Sequence, residues 1–349
     1  MRVLVTGAGG LIGSEAVTYY DGRGHEVVGI DNNSRRDFFG PQGDVGWNLA
    51  RLTEGCAHFA NREVDIRDRA GIFDVWNELR PDVVVHCAAQ PSHDLAKDRP
   101  LDDFDVNAVG TANVLEATRQ YAGDAAFLMM STNKVYGDAP NEVPLVEHDT
   151  RYDYAREEDY WGIPETCRID RCLHSVFGAS KTAADVMAQE YGRYFGLRVG
   201  VFRGGCLTGP QHSGVQLHGF LSYLVKVAVE KNTYTIIGYK GKQVRDQIHS
   251  ADVVSAIAAF CENPRPGEVY NMGGGRANNA SVLECIERVG EAVGTPVSTA
   301  YLEQERSGDH ICYISDTRHF QADYPEWRME HSLDDIITEM VRAEVDRQQ

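Results

Sequence analysis

Residues 3–13 read Val3-Leu-Val-Thr-Gly7-Ala-Gly-Gly10-Leu-Ile-Gly13, and the reading of this stretch decides the fold. A β-branched run reads as a strand, and a helical pattern opens at Leu11 directly after the glycines. Such a helix leaves its first N–H groups without partners, aimed at whatever lies ahead of it. Gly7 makes the tight turn, Gly10 lets the backbone approach a pyrophosphate, and Gly13 lets helix and strand pack closely. Leu11 and Ile12 begin the helix that would receive the phosphates. Glu26–Ile30 reads as a second strand, and Asp31 ends it at the distance where an acid meets a ribose 2′-hydroxyl. An acid there disfavours a 2′-phosphate, so the expected cofactor is NAD rather than NADP. Asn32 and Arg35 adjoin it, and Arg35 and Arg36 would weaken that choice.

Outward from this unit, strands and helices alternate. Ala57–Val64 reads as a strand, Asp68–Leu79 as a helix and Asp82–His86 as a strand. Asp102–Tyr121 follows as a long helix, Ala125–Met130 as a strand, Gly178–Phe195 as a helix and Leu197–Phe202 as a strand. Continuous apolar strands separated by helices predict a parallel sheet buried on both faces. The expected fold is α/β: a doubly wound parallel Rossmann sheet over residues 1–204, then a smaller C-terminal α/β lobe over 205–349, mainly for substrate. Some segments, such as Glu268–Asn271, are expected to return to the main sheet. Glu142–His174 lacks a period and reads as an elaborated loop. Asp65 and Ile66, after the third strand, fall where an adenine ring would lie. Ala88, Ala89 and Gln90 follow the fourth strand, at the crevice outside the strand ends.

Composition excludes several classes. The formal net charge is −18 over 349 residues, which repels nucleic acid and anionic membranes, so neither is an expected partner. No apolar stretch approaches the roughly 20 residues that span a bilayer. The eight cysteines form no C-x-x-C pair and no zinc spacing, so no metal is expected. Scattered thiols and an opening strand without a leader point to the cytoplasm.

These residues resemble the extended short-chain dehydrogenase/reductase family. The T-G-x-x-G-x-x-G string, Asp65-Ile-Arg, His86-Cys-Ala-Ala-Gln90 and Asn107-Ala-Val-Gly-Thr-Ala-Asn-Val-Leu-Glu-Ala all match, over nearly the whole chain. Ser131-Thr-Asn-Lys-Val-Tyr-Gly-Asp138, His174-Ser-x-x-Gly-x-Ser-Lys181 and Gly241-Lys-Gln-Val-Arg-Asp246 look closer to the branch of CDP-paratose 2-epimerases. The resemblance implies permanently held NAD, a nucleotide-sugar substrate and inversion of a hydroxyl-bearing carbon, C2 of a CDP-sugar in that branch. It also implies Asn107 and Lys181 at the cofactor, and a homodimer through helices 102–121 and 178–195. A 4,6-dehydratase of this family carries an Asp-Glu pair where this chain has Asn133-Lys134.

The family's catalytic Tyr-x-x-x-Lys is incomplete here. Lys181 is in place, but the tyrosine position holds Phe177, and a phenyl ring accepts no proton. Three readings stay open. Another group serves as base, with Lys134 first because it lies at the end of the fifth strand and would lose its proton more readily beside a cationic ring. Phe177 is an engineered substitution that traps an inactive complex. Or the chain binds NAD and a nucleotide sugar without turnover. Thr132, at the strand end, is the candidate to hydrogen-bond the reacting hydroxyl. Tyr136 reads as structural, while His93 and His174 read as ordinary polar residues. For the substrate, Gln90 and Asn133 lie at the strand ends. Arg203 follows the sixth strand, and Arg245, Arg306 and Asp309 occupy segments that contact the nucleotide diphosphate in the family. An arginine fork suits diphosphate oxygens. Other sugar nucleotides, such as GDP- or UDP-sugars, fit the same reading.

Overall fold

The structure, a computed structural model, describes residues 1–212, 219–303 and 309–348, apart from the side chains of 93 and 94. Contacts group the chain into two units. One comprises Met1–Val135, Val176–Arg203 and Val253–Tyr270; the other comprises Tyr136–Ser175, Gly204–Asp252 and Asn271–Gln349. The chain thus passes between units several times, with Tyr136–Ser175 in the second and Val253–Tyr270 in the first.

In the first unit the labelled elements are β1 (Arg2–Thr6), α1 (Leu11–Asp21), β2 (Glu26–Ile30), β3 (Phe59–Arg62), α2 (Arg69–Leu79) and β4 (Val83–His86). They continue as α3 (100–121), β5 (Ala126–Thr132), α4 (Val176–Arg193), β6 (Arg198–Gly204), α5 (Ser250–Glu262) and β7 (Glu268–Met272), the last three running a few residues past the unit's bounds. Among the described residues, seven strands form the main sheet in the order β7-β6-β5-β4-β1-β2-β3. β1 pairs in parallel with β2 and β4, β2 with β3, and β4 with β5. The doubly wound sheet expected from the alternation is therefore present. Its order reverses between β1 and β4, the switch point where such sheets open a crevice at their carboxyl ends.

The strands are apolar because both faces are covered. All four residues of β4, Val83-Val-Val-His86, are buried. Leu4, Val84, Phe127 and Val199 from the sheet share one core with Trp76, Leu115 and Ala184 from the helices. Trp76 is fully buried, and its indole N–H is satisfied by Thr118 Oγ1 at 2.9 Å. Helix α3 is not uniform. Asp105–Gly110 form a π-turn between two α-helical pieces, and such turns often mark a functional segment.

The second unit has its own core, in which Leu224, Ile236, Ala280, Val289 and Ile336 meet. Its strand Val244–His249 pairs with three short strands, Cys206–Thr208, Asn279–Ser281 and Cys312–Tyr313. The loop expected at 142–174 contains a small antiparallel hairpin, Leu145–Glu147 with Tyr152–Tyr154. Helices Val282–Val293 and Leu333–Arg347 each start at a serine that closes a reciprocal cap, Ser281 with Glu284 and Ser332 with Asp335. No helix among the described residues is long and apolar enough to cross a membrane.

Candidate active site

The glycine turn is shaped as its sequence requires. Gly7 has φ +70°, and a Cβ there would lie 2.8 Å from Ala88 N, so turn and fourth-strand loop are in direct contact. A Cβ on Gly13 would lie 2.0 Å from Gly7 O, which only glycine permits. A Cβ on Gly10 would meet Gly7 O alone, at 3.3 Å, so the space ahead of it is kept clear by the missing side chain. Helix α1 starts at Gly10 with no side-chain cap. Its first N–H groups, Leu11 and Ile12 included, have no carbonyl within the helix to receive them.

Asp31 braces this cradle. One carboxylate oxygen accepts the Gly9 N–H and the other the Asn33 N–H, each at 2.8 Å. Burial pushes its pKa up, while those two N–H bonds and nearby Arg35 pull it back. A carboxylate has about four lone-pair sites, so acceptor capacity for a ribose hydroxyl remains. Arg35 is drawn down to about 10 by burial, partly offset by Asp31, and its guanidinium stands 4.6 Å from the Phe39 ring centre. Asn32 donates to Asp65 at 3.0 Å, and Asp65 is also held by Arg67. Ile66 packs against the bare face of Gly110 in the π-turn. Ala88 N–H goes to Thr6 Oγ1 at 3.1 Å, and Ala89 is half-buried beside it. A bare glycine face, an uncapped helix start and an acid at the second strand end together fit a dinucleotide.

At the end of β5, Thr132 Oγ1 accepts the Lys134 N–H at 3.2 Å. Asn133 is buried and Lys134 half-buried. On α4, Phe177 is buried at 7% exposure, and Lys181 donates to Met130 O at 2.9 Å. Burial draws the Lys181 pKa down to about 8, opposed by Asp185, Cys87 and Asp103. His86 lies close by, fully buried between Thr6 Oγ1 at 2.7 Å and Thr111 Oγ1 at 2.9 Å. Burial first, and Lys181 second, push its pKa to about 3, so it is a neutral spacer.

Three residues expected at the ligands have side chains held by other groups of the protein. The Gln90 amide is buried, donating to Ser92 O and Asp103 Oδ1 at 2.8 Å each and accepting the Ser92 N–H. Asn107 accepts the Gln90 N–H at 3.0 Å and donates to Gln90 O and Ser180 Oγ. Both amides therefore fasten the loop after β4 to α3 and α4. Arg203 does not offer its fork to a phosphate: Nε and Nη2 donate to Asp185 at 3.0 and 2.8 Å. Asp103, Asp185 and Ser131 were missed. The four-residue spacings Asp103 to Asn107 and Lys181 to Asp185 place each pair on one helix face, the one signal that could have found the two acids.

In the second unit, Arg245 donates to Asp309 at 2.6 Å and to Val244 O at 2.7 Å. Its side chain is 11% exposed. Tyr136 is a packing residue, its hydroxyl donating to Asn271 at 2.8 Å. His174 Nε2 lies 2.9 Å from Ile169 O. Arg306 and the side chain of His93 lie outside the described residues.

A doubly wound sheet with an open glycine turn at its switch point defines a dinucleotide-binding protein. Residues 3–273 match the NAD dependent epimerase/dehydratase family. The chain belongs to that family, and its cofactor is NAD. It is 30% identical to CDP-paratose 2-epimerase of Salmonella typhi, over 97% of this chain and 98% of that one. It is 27% identical to a dTDP-glucose 4,6-dehydratase of Escherichia coli, over 83% and 76% of the two chains. Among solved structures, UDP-glucose 4-epimerase of Thermus thermophilus in complex with NAD superposes with a TM-score of 0.77 at 27% identity, covering 99% of both chains.

Proposed function

We propose that the protein is an NAD-dependent epimerase of a nucleotide sugar, acting at C2 of a CDP-sugar. The observation that carries this reading is the end-to-end similarity to CDP-paratose 2-epimerase. Bound NAD supplies reversible removal of hydride from a sugar carbinol carbon and its return to the opposite face. Lys181, fixed on Met130 O, holds the nicotinamide ribose. Lys134 takes the hydroxyl proton as the carbinol becomes a ketone and gives it back when the alcohol reforms. Thr132 and Asn133 orient that hydroxyl. Arg245, with Asp309 setting its fork, and Arg306 recognise the diphosphate. Gly7, Gly10, Gly13, Asp31, Asn32, Asp65 and Ile66 hold the cofactor. The assembly is a cytoplasmic homodimer through α3 and α4, a reading supported by apolar surface that Val186, Met187 and Phe195 leave exposed.

The test is incubation of NAD-loaded protein with CDP-paratose or CDP-tyvelose, followed by NMR. Interconversion without net release of reduced cofactor is expected. Stoichiometric accumulation of reduced cofactor with an oxidised sugar would make it a dehydrogenase instead. One observation favours a second reading: Phe177 removes the family's proton acceptor, and a binding protein without turnover would tolerate it. That reading predicts tight binding of CDP-sugars with no interconversion.

A further inference from the structure

Arg203 and Asp185 form an ion pair whose side chains are only 5% and 1% exposed. Burying such a pair costs desolvation, and an apolar pair of like size is often as stable. Its value lies in what else it holds. Asp185 Oδ2 also accepts from Ser131 Oγ at 2.6 Å, and Oδ1 from Gln189 Nε2 at 2.7 Å. Asp185 stands one helical turn beyond Lys181, which donates to Met130 O. Two consecutive residues of β5, Met130 and Ser131, are thus gripped by two residues of α4 on one face. The next residues along the strand are Thr132, Asn133 and Lys134.

We propose that Asp185 is a positioning residue: with Arg203 as counter-ion and Ser131 as its grip on β5, it sets Thr132 and Lys134 against Lys181 and keeps a negative charge beside the Lys181 ammonium. The inference rests on the roles given above to Lys134 and Lys181. Asp185 is the largest of the charges that oppose the burial of Lys181, so the grip and the charge act through one carboxylate.

The test uses NAD-loaded protein and two variants. The double variant Asp185→Asn with Arg203→Met removes the charges together and leaves no unpaired ion. Ser131→Ala leaves the ion pair intact and cuts only the grip. The Lys181 ammonium is titrated by 15N NMR, assigned with Lys181→Arg, and turnover is read with CDP-paratose as probe. In the double variant the Lys181 pKa should fall by about one unit, because the charges that act on Lys181 include Asp185 and not Arg203. In Ser131→Ala, kcat should fall by about a hundredfold with KM unchanged, and Ser131→Thr should restore it. An unmoved Lys181 titration in the folded double variant overturns the proposal, as does unaltered kcat in Ser131→Ala. If the parent protein never converts CDP-paratose, the proposed function fails while the titration still decides the charge on Lys181.

Discussion

Lys181 joins local chemistry to a measurable property of the chain. Its folded pKa of about 8 lies below the ordinary lysine value of 10.5 because burial disfavours the ammonium. Between those values the unfolded chain binds more protons than the folded one, so stability rises with pH across that window. Lys181→Met should flatten the rise, checked by urea denaturation at the two ends of the window; an unchanged slope would assign it to other groups. Lys134→Met should lower turnover by about 10²–10⁴-fold, the range for a lost acid–base group, with bound NAD unchanged. Full activity in that variant would remove Lys134 from the chemistry. The shape of the turn at Gly7 and Gly13 and the place of Asp31 at its side were legible from sequence, because backbone geometry dictates them. Gln90, Asn107 and Arg203 were not. A buried amide or guanidinium goes to the nearest partner of its own chain, and that partner is distant in sequence, as Asp185 is from Arg203.

At the scale of elements, the contact between α1 and β1 is the tightest point of the cofactor cradle. Gly13→Ala would push a methyl into Gly7 O, where a Cβ has 2.0 Å. Overpacking of this kind costs about 1–3 kcal/mol, so the variant should melt lower and lose NAD on gel filtration. Retention of both melting point and cofactor would show that the turn gives way freely. The strand–helix alternation of the main sheet could be read directly, since β1, β4 and β5 are short, largely apolar runs between turn signals. The small strands of the second unit could not: Cys312–Tyr313 and Asn279–Ser281 are too short for an alternation to show, and long-range pairing with Val244–His249 defines them. Helix Leu333–Arg347 was also missed, although Ser332 and Asp335 mark its start. The π-turn at Asp105–Gly110 has no sequence signature beyond Asn107 itself.

For the molecule as a whole, NAD binding and folding are linked, because a ligand bound only by the folded state stabilises it. Stripped protein should therefore melt lower than holoprotein and regain its melting temperature on addition of NAD, more fully than with NADP, because Asp31 opposes a 2′-phosphate. Equal recovery with both, followed by differential scanning fluorimetry, would mean that Arg35 governs the choice. With a net charge of −18, the proposed phosphate recognition falls to local devices: an uncapped helix start, and Arg245 held by Asp309. The measurement that bears most directly on the central claim follows deuterium placed at C2 of CDP-paratose during incubation with NAD-loaded protein in ordinary water. Transient oxidation and return of the same hydride predicts CDP-tyvelose that keeps the label at C2. Loss of the label to solvent, or no product from fully loaded protein, would contradict it.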